Sequence, residues 1–219
     1  MMPRVPYWKG CDLAVQTDYV AIGEKTRIRR FTRADVDRWI EWPTHRDPLF
    51  EAYNPPSMSA GMRDAWFEDL VGRQAQLPFA VDDLKGELIG RIFLRHRHRP
   101  EGSATLGIDL RPEFLNRGYG TDSLTTFMEY FFGSLGFDRM YLSVAVFNGR
   151  AMHLYERLGF RKVNEYWDRL RTTAKVLTAP RYEPVRHLFR GGDQGLEALH
   201  QVMVVNRPIF ERALRENFS

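Results

Sequence analysis

Hydrophobic and polar positions change their period several times along the chain, and the changes divide it into elements. Residues 26–31, TRIRRF, alternate as a strand does. The next stretch, TRADVDRWIEW, places Val36, Trp39 and Ile40 on one helical face behind Thr32, a residue type that caps helices well. MRDAWFEDLVGRQ gives a second amphipathic helix. LPFAVDD and ELIGRIFLR are two strands joined by a turn at Lys85 and Gly86. ATLGIDL is another strand, ending at Arg111 and Pro112. YGTDSLTTFMEYFFGSLG is a long helix with Phe127, Tyr130 and Phe131 on one side. RMYLSVAV has the apolar character of a buried strand. GRAMHLYERLGF is a short helix closed by Gly159. RKVNEYWDRLR and ALHQVMVV are the last strands, and PIFERALREN, with Pro208 near its start, is the closing helix.

Consecutive strands beside strand–helix–strand crossovers predict an α/β (α+β) fold on one mixed sheet. Two stretches break the pattern. Residues 43–57 hold four prolines, with Trp42, Phe50 and Tyr53 close by. This is a loop whose aromatics suit a substrate wall, although aromatics also plug cores. Residues 172–195 are too long for an ordinary connection and carry Val176, Leu177, Tyr182, Val185, Leu188 and Phe189. Those side chains need cover. The segment is expected either to build a homodimer or to fold over its own subunit and line the acceptor cleft.

Composition narrows the function classes. The 219 residues, 43% of them hydrophobic, suffice for a large core. One domain, 1–219, is expected, with an N-terminal extension at 1–24 and the enlarged connection at 172–195. No apolar run is long enough to span a membrane, and MMPRVPYWKG lacks a signal peptide's apolar stretch. A cytoplasmic protein is the expectation. Cys11 is the only cysteine, which excludes an intramolecular disulfide and a zinc site built on several thiolates. The net charge of +4 is dispersed and too small for a nucleic-acid footprint. RHRHR at 95–99 would put His96 and His98 on one strand face, but no third metal ligand accompanies them. Charge on an exposed hairpin is the expected reading.

Candidate chemistry centres on PEFLNRGYGTDSL, which begins at Pro112, where a glycine turn opens a helix. Free backbone N–H groups and the helix dipole make an anion seat there, and phosphate is its usual occupant. Gly118 allows close approach or positive φ, Gly120 allows tight helix packing, and Arg117 can add a charge. A plain strand-to-helix turn would share these features. The following unit, VFNGRAMHLYERLGF, sharpens the reading: Asn148 ends a strand, and Tyr155 lies seven residues on, nearly two helical turns, so both project to one side.

The two units together resemble the GNAT superfamily of acyl-CoA-dependent N-acetyltransferases, with the nearest likeness to the ribosomal-protein N-terminal acetyltransferase type. The resemblance is strongest from Gly107 to Val163, and TRIRRFTRADVDRWIEW and HQVMVVNRPIFERAL also look familial. It implies a mostly antiparallel sheet of about seven strands, splayed in a V between the fourth and fifth. It implies acetyl-CoA as cosubstrate. Ile108, Asp109 and Leu110 belong to the strand that would meet the pantetheine arm, with a backbone N–H near Leu110 facing the thioester oxygen. Asn116, Arg117, Gly118, Tyr119, Gly120 and Thr121 would surround the pyrophosphate. Asn148 would touch the pantetheine, and Tyr155 would sit near the sulfur as general acid. Leu115 and Asn116 depart from the loop pattern, and Thr105 stands where several relatives carry a glutamate base.

Acetyl transfer to nitrogen needs a neutral amine, a polarised thioester and a proton for the leaving thiolate. An α-amine is roughly a tenth neutral at pH 7, a lysine amine below about one in a thousand. A site without an evident base therefore suits an α-amine, and a protein or peptide N-terminus is the expected acceptor. Trp42, Phe50 and Tyr53 would wall it, with Asp47 and Glu51 near its ammonium. A polyamine, an aminoglycoside or a metabolite is the small-molecule alternative. A non-catalytic acyl-CoA-binding regulator is the third reading.

Overall fold

The computed structural model describes residues 18–72, 76–192 and 195–218. Its strands are β1 (Tyr19–Ile22), β2 (Thr26–Arg30), β3 (Leu77–Asp83), β4 (Leu88–His98), β5 (Ser103–Leu110), β6 (Arg139–Ala145), β7 (Arg161–Arg169), β8 (Phe189–Gly192) and β9 (Gly195–Asn206). The helices are α1 (Arg33–Ile40), α2 (Ala60–Gly72), α3 (Tyr119–Phe132), α4 (Gly149–Arg157) and α5 (Arg207–Asn217). The strands form one mixed sheet in the order β1-β2-β3-β4-β5-β6-β9-β7. β8 pairs with β9 on the edge that β6 leaves free beyond Ala145. Every pairing is antiparallel except β5 with β6.

Two of these strands escape the sequence pattern. β1 is four residues of half-buried edge inside the expected extension, and β8 is four residues ending in two glycines. Neither is long enough to show a period. The sheet therefore has nine described strands rather than about seven.

Alternation along the strands sorts side chains to two layers. Phe79, Val81, Ile92 and Leu94 face α3, α4 and α5, where Phe127, Phe131, Leu158 and Phe210 close the larger core. Ala80 and Phe93 point the other way, onto α1 and α2, with Val36, Trp39 and Leu70. Thr32 caps α1, and its backbone N–H and hydroxyl both donate to Asp35 at 2.8 Å.

A buried ion cluster pins α1 to the sheet. Arg29 donates to Asp35 at 2.6 and 2.8 Å and to Asp82 at 2.7 and 3.0 Å. Burial pushes Asp82 above the usual carboxylate range. Burial acts on Asp35 too, but the bonds from Arg29 and the two from Thr32 outweigh it and hold Asp35 below that range.

The segment after β7 folds onto its own chain. Val176, Leu177, Tyr182, Val185, Leu188 and Phe189 pack with Leu49, Phe50, Phe147 and Leu196 in a third core. Tyr182 and Phe189 are thus buried within the subunit, and the other four side chains are partly covered there. The segment reaches the 43–57 loop from behind and contributes no lining to the cleft.

Candidate active site

The strand exchange at β5 and β6 makes the cleft. Parallel pairing covers only Ser103–Leu106 against Arg139–Leu142. Beyond it Gly107–Leu110 remain paired to β4, and Ser143–Ala145 to β9, while the two strands part from each other. Side chains and backbone of both parted ends line a cleft of about 470 Å³. In a strand, alternate residues turn their N–H and C=O groups to opposite edges, so part of this backbone faces the gap.

One end of the cleft is the glycine turn. Gly118 caps α3 with φ of 84°, and Asn116 is also left-handed at 58°. The left-handed backbone reserves the position for glycine, and a Cβ there would stand 2.9 Å from Lys25 Nζ, which places that cation beside the turn. A Cβ at Gly120 would stand 3.1 Å from Leu110, which reports the close packing of α3 on β5. Lys25 was not visible as a site residue in the sequence. It comes from the β1–β2 turn, which Asp122 in the first turn of α3 holds through the Glu24 and Lys25 N–H groups and the Thr26 hydroxyl. The free N–H groups of a 14-residue helix, a left-handed turn and Lys25 fit a pyrophosphate. Leu115, Asn116, Gly118, Gly120 and Thr121 line the cleft there. Arg117 and Tyr119 flank it instead: Arg117 donates to the Glu113 carbonyl at 3.3 Å, and Tyr119 packs edge-on against Phe114.

At the middle lie Ile108, Asp109, Leu110, Asn148 and Tyr155, with Asn148 and Tyr155 in one cleft as their spacing suggested. Asn148 caps α4 by accepting from the Ala151 N–H at 3.3 Å, and its side chain adjoins the Tyr53 hydroxyl. Tyr155 is buried against Phe160. Burial, and then the nearby Tyr53 and Asp109, push its hydroxyl above the ordinary range, so it carries a proton at neutral pH. Asp109 accepts from Arg91 Nη2 at 2.7 Å and Nε at 3.0 Å. Arg91 in turn lies 3.6 Å from the centroid of the Trp39 ring. Asp109 is therefore half of an ion pair built into the sheet.

The other end is the 43–57 loop. Phe50 and Tyr53 line the cleft, with ring centroids 5.9 Å apart. Trp42 does not, which corrects the expected wall: it is buried with Trp39 and Phe31 between α1 and the sheet, because the chain leaving α1 still faces that core. Asp47 does not face the cleft either. It caps the turn at Leu49 and accepts the Tyr182 hydroxyl at 2.6 Å. His45 is the unexpected member. Its backbone N–H donates to Asn54 Oδ1 at 2.6 Å, and its ring stacks on Phe50 at 5.8 Å. Burial, assisted by the charge of Arg150, lowers its pKa below 6.5 and leaves the imidazole neutral at pH 7. A lone histidine in a proline-rich loop has no spacing signal, so only the fold reveals it.

Comparison with known proteins agrees with this geometry. Residues 25–161 match the family model described as "Acetyltransferase (GNAT) domain". The chain belongs to the GNAT acetyltransferase family. It is an acyl-CoA-dependent N-acetyltransferase with acetyl-CoA as its acetyl donor. A spermidine N(1)-acetyltransferase of Vibrio cholerae is 35% identical over 133 residues, 61% of this chain and 77% of that protein. The Escherichia coli K12 spermidine N(1)-acetyltransferase is 33% identical over 134 residues, 54% of this chain and 70% of that one. A solved structure of the Vibrio cholerae spermidine N-acetyltransferase, in complex with CoA and spermine, has the same fold. Its TM-score is 0.66 at 20% identity, over 85% of this chain and 98% of that one. These relatives correct the expected likeness to the ribosomal-protein N-terminal type. Among the described residues no helix is long and apolar enough to cross a membrane, and no group of side chains is placed to hold a metal.

Proposed function

We propose that the protein acetylates the primary amine of a small molecule rather than a protein N-terminus. The observation that carries this is the likeness to two spermidine N(1)-acetyltransferases. The cleft supports it: the acceptor end is walled by Phe50, Tyr53 and His45, with the segment after β7 packed behind that wall.

The donor supplies a thioester carbonyl activated for attack by an amine. The α3 N-terminus, Gly118 and Lys25 hold its pyrophosphate, and the parted ends of β5 and β6 flank its arm. His45, neutral and at the acceptor end, takes a proton from the ammonium so that a free amine is present. Tyr155 keeps its hydroxyl proton at neutral pH and gives it to the thiolate as the C–S bond breaks, and the proton that the nitrogen sheds as the amide forms returns to the tyrosine. Tyr53 and Asn148 shape the space between them. Asp109, bound to Arg91, keeps the β4–β5 face of the cleft in place.

Thiol release at fixed acetyl-CoA, compared across spermidine, other small amines, and C-amidated peptides with free or blocked N-termini, tests the proposal. Small amines are expected to have the higher kcat/KM. A clear preference for free peptide N-termini would overturn it.

A further inference from the structure

The run RHRHR acquires a place in the site. β4 pairs regularly with β5 up to Arg95 opposite Thr105, then breaks, and resumes at His98 opposite Ser103. Within the break His96 adopts φ of 46°, a left-handed conformation uncommon outside glycine. Bulges of this kind beside a cleft re-aim side chains. Arg95, at the start of the bulge, lines the cleft. Its guanidinium lies 3.8 Å from where a Cβ at Gly107 would stand, and 5.5 Å from the centroid of the Phe93 ring.

Arg150 faces the same cleft from the first turn of α4. Its guanidinium lies 5.9 Å from the centroid of the Phe50 ring, and its charge is felt by His45, Tyr53 and Tyr155. Neither Arg95 nor Arg150 forms an ion pair or a side-chain hydrogen bond with another described residue. Arg157, also in the lining, is engaged by the Asn217 carbonyl at 2.8 Å. Asp109 is the one carboxylate among the described lining residues, and it is ion-paired with Arg91. Among the described residues the cleft thus presents two guanidinium groups without an ion-pair partner and no unpaired carboxylate. A polyamine would bring further positive charge to it.

We infer that the acceptor is a small primary amine that also carries an oxyanion group, a carboxylate, phosphate or sulfonate, held by Arg95 and Arg150. The guanidinium fork matches such groups in two-point geometry, and a partly enclosed cleft strengthens the attraction. The inference rests on the small-amine reading above and selects within it.

The test compares charged amines with neutral partners of similar length: 4-aminobutyrate with 4-aminobutanol, and phosphoethanolamine and taurine with ethanolamine. Spermidine is included. Binding to the protein–CoA complex is measured by calorimetry, and kcat/KM separately by thiol release. Each anionic amine is expected to bind at least about tenfold tighter than its neutral partner, as one charge-assisted bond would give. Arg95→Ala and Arg150→Ala should each pull that ratio toward one while acetyl-CoA affinity holds, and Arg95→Lys should restore part of it. Equal binding of the paired amines, tightest binding of spermidine, or a ratio unchanged in both alanine variants overturns the inference. So does a loss of acetyl-CoA affinity in Arg150→Ala with the ratio intact, since Arg150 would then serve the donor. Selective binding of anionic amines without turnover would sink the small-amine acetylation reading and leave the anion seat standing.

Discussion

The hydroxyl of Tyr182 donates a 2.6 Å hydrogen bond to Asp47 across 135 residues of chain. It ties the segment after β7 to the loop that carries His45, Phe50 and Tyr53. Tyr182→Phe keeps the ring in its apolar setting and removes the tie. Stability should fall by about 1 kcal/mol, the usual net worth of one such bond. KM for the amine should rise while acetyl-CoA affinity stays at the wild-type value. An unchanged KM in that variant would mean that the loop holds its shape without the segment.

Gly118→Asp places a Cβ at a left-handed position and a carboxylate beside Lys25. The new charge would pair with Lys25 and repel a pyrophosphate. Calorimetric titration is expected to show acetyl-CoA binding lost, with a folded protein by circular dichroism. Retained affinity would remove the glycine turn from the donor site.

Tyr155→Phe leaves the packing against Phe160 and deletes the proton. Turnover should drop about a hundredfold or more, with donor affinity unchanged, because general acids contribute that much to rate and little to binding. Wild-type kcat in this variant would hand the proton donation to water or another group.

The pH dependence should follow His45. Its pKa is depressed below 6.5 by burial first and by Arg150 second. The imidazole becomes competent as pH rises through that lowered value, so kcat/KM should climb on that limb and continue upward as the amine itself loses its proton. In His45→Gln the lower limb should disappear, and kcat should fall about a hundredfold. A pH–rate profile of the two proteins decides it, and superimposable acid limbs would exclude His45 as the proton acceptor.

Arg29→Met would strand Asp35 and Asp82, both almost fully buried, without their shared cation. The cost should be about 3–5 kcal/mol. Adding Asp35→Leu and Asp82→Leu should return much of it, and thermal melts of the single and triple variants compare the two. A single variant as stable as the wild type would show that the cluster holds nothing together.

Most of the framework was legible in the sequence because its signals are local. Thr32, Gly159 and Pro208 mark helix ends through backbone chemistry that acts within a turn or two, and β3 is a short apolar run bounded by the turn at Lys85 and Gly86. Gly118, Gly120, Asn148 and Tyr155 could be singled out for the same reason, since they lie in two short runs, and the fold brings both runs to one cleft. What escaped depends on chain segments meeting at a distance. Lys25 reaches Gly118 only because Asp122 gathers the β1–β2 turn. Trp42, Phe50 and Tyr53 are alike in composition, and only the packing of α1 decides that the first turns inward and the others face the cleft. Arg95 gained its position from a bulge that no period announces.

The four-pair seam between β5 and β6 also has a mechanical meaning. It divides the sheet into two plates, one carried by β1 to β5 and the other by β6, β9, β7 and β8. Each plate contains ladders longer than the joint between them, β4 with β5 in one and β7 with β9 in the other. Whatever lies in the wedge touches both plates at once and acts as a rivet across the seam between them. Occupancy and rigidity are then expected to rise together, because a donor lodged in the wedge would bind the two plates to each other and stiffen the frame against which the acceptor is held.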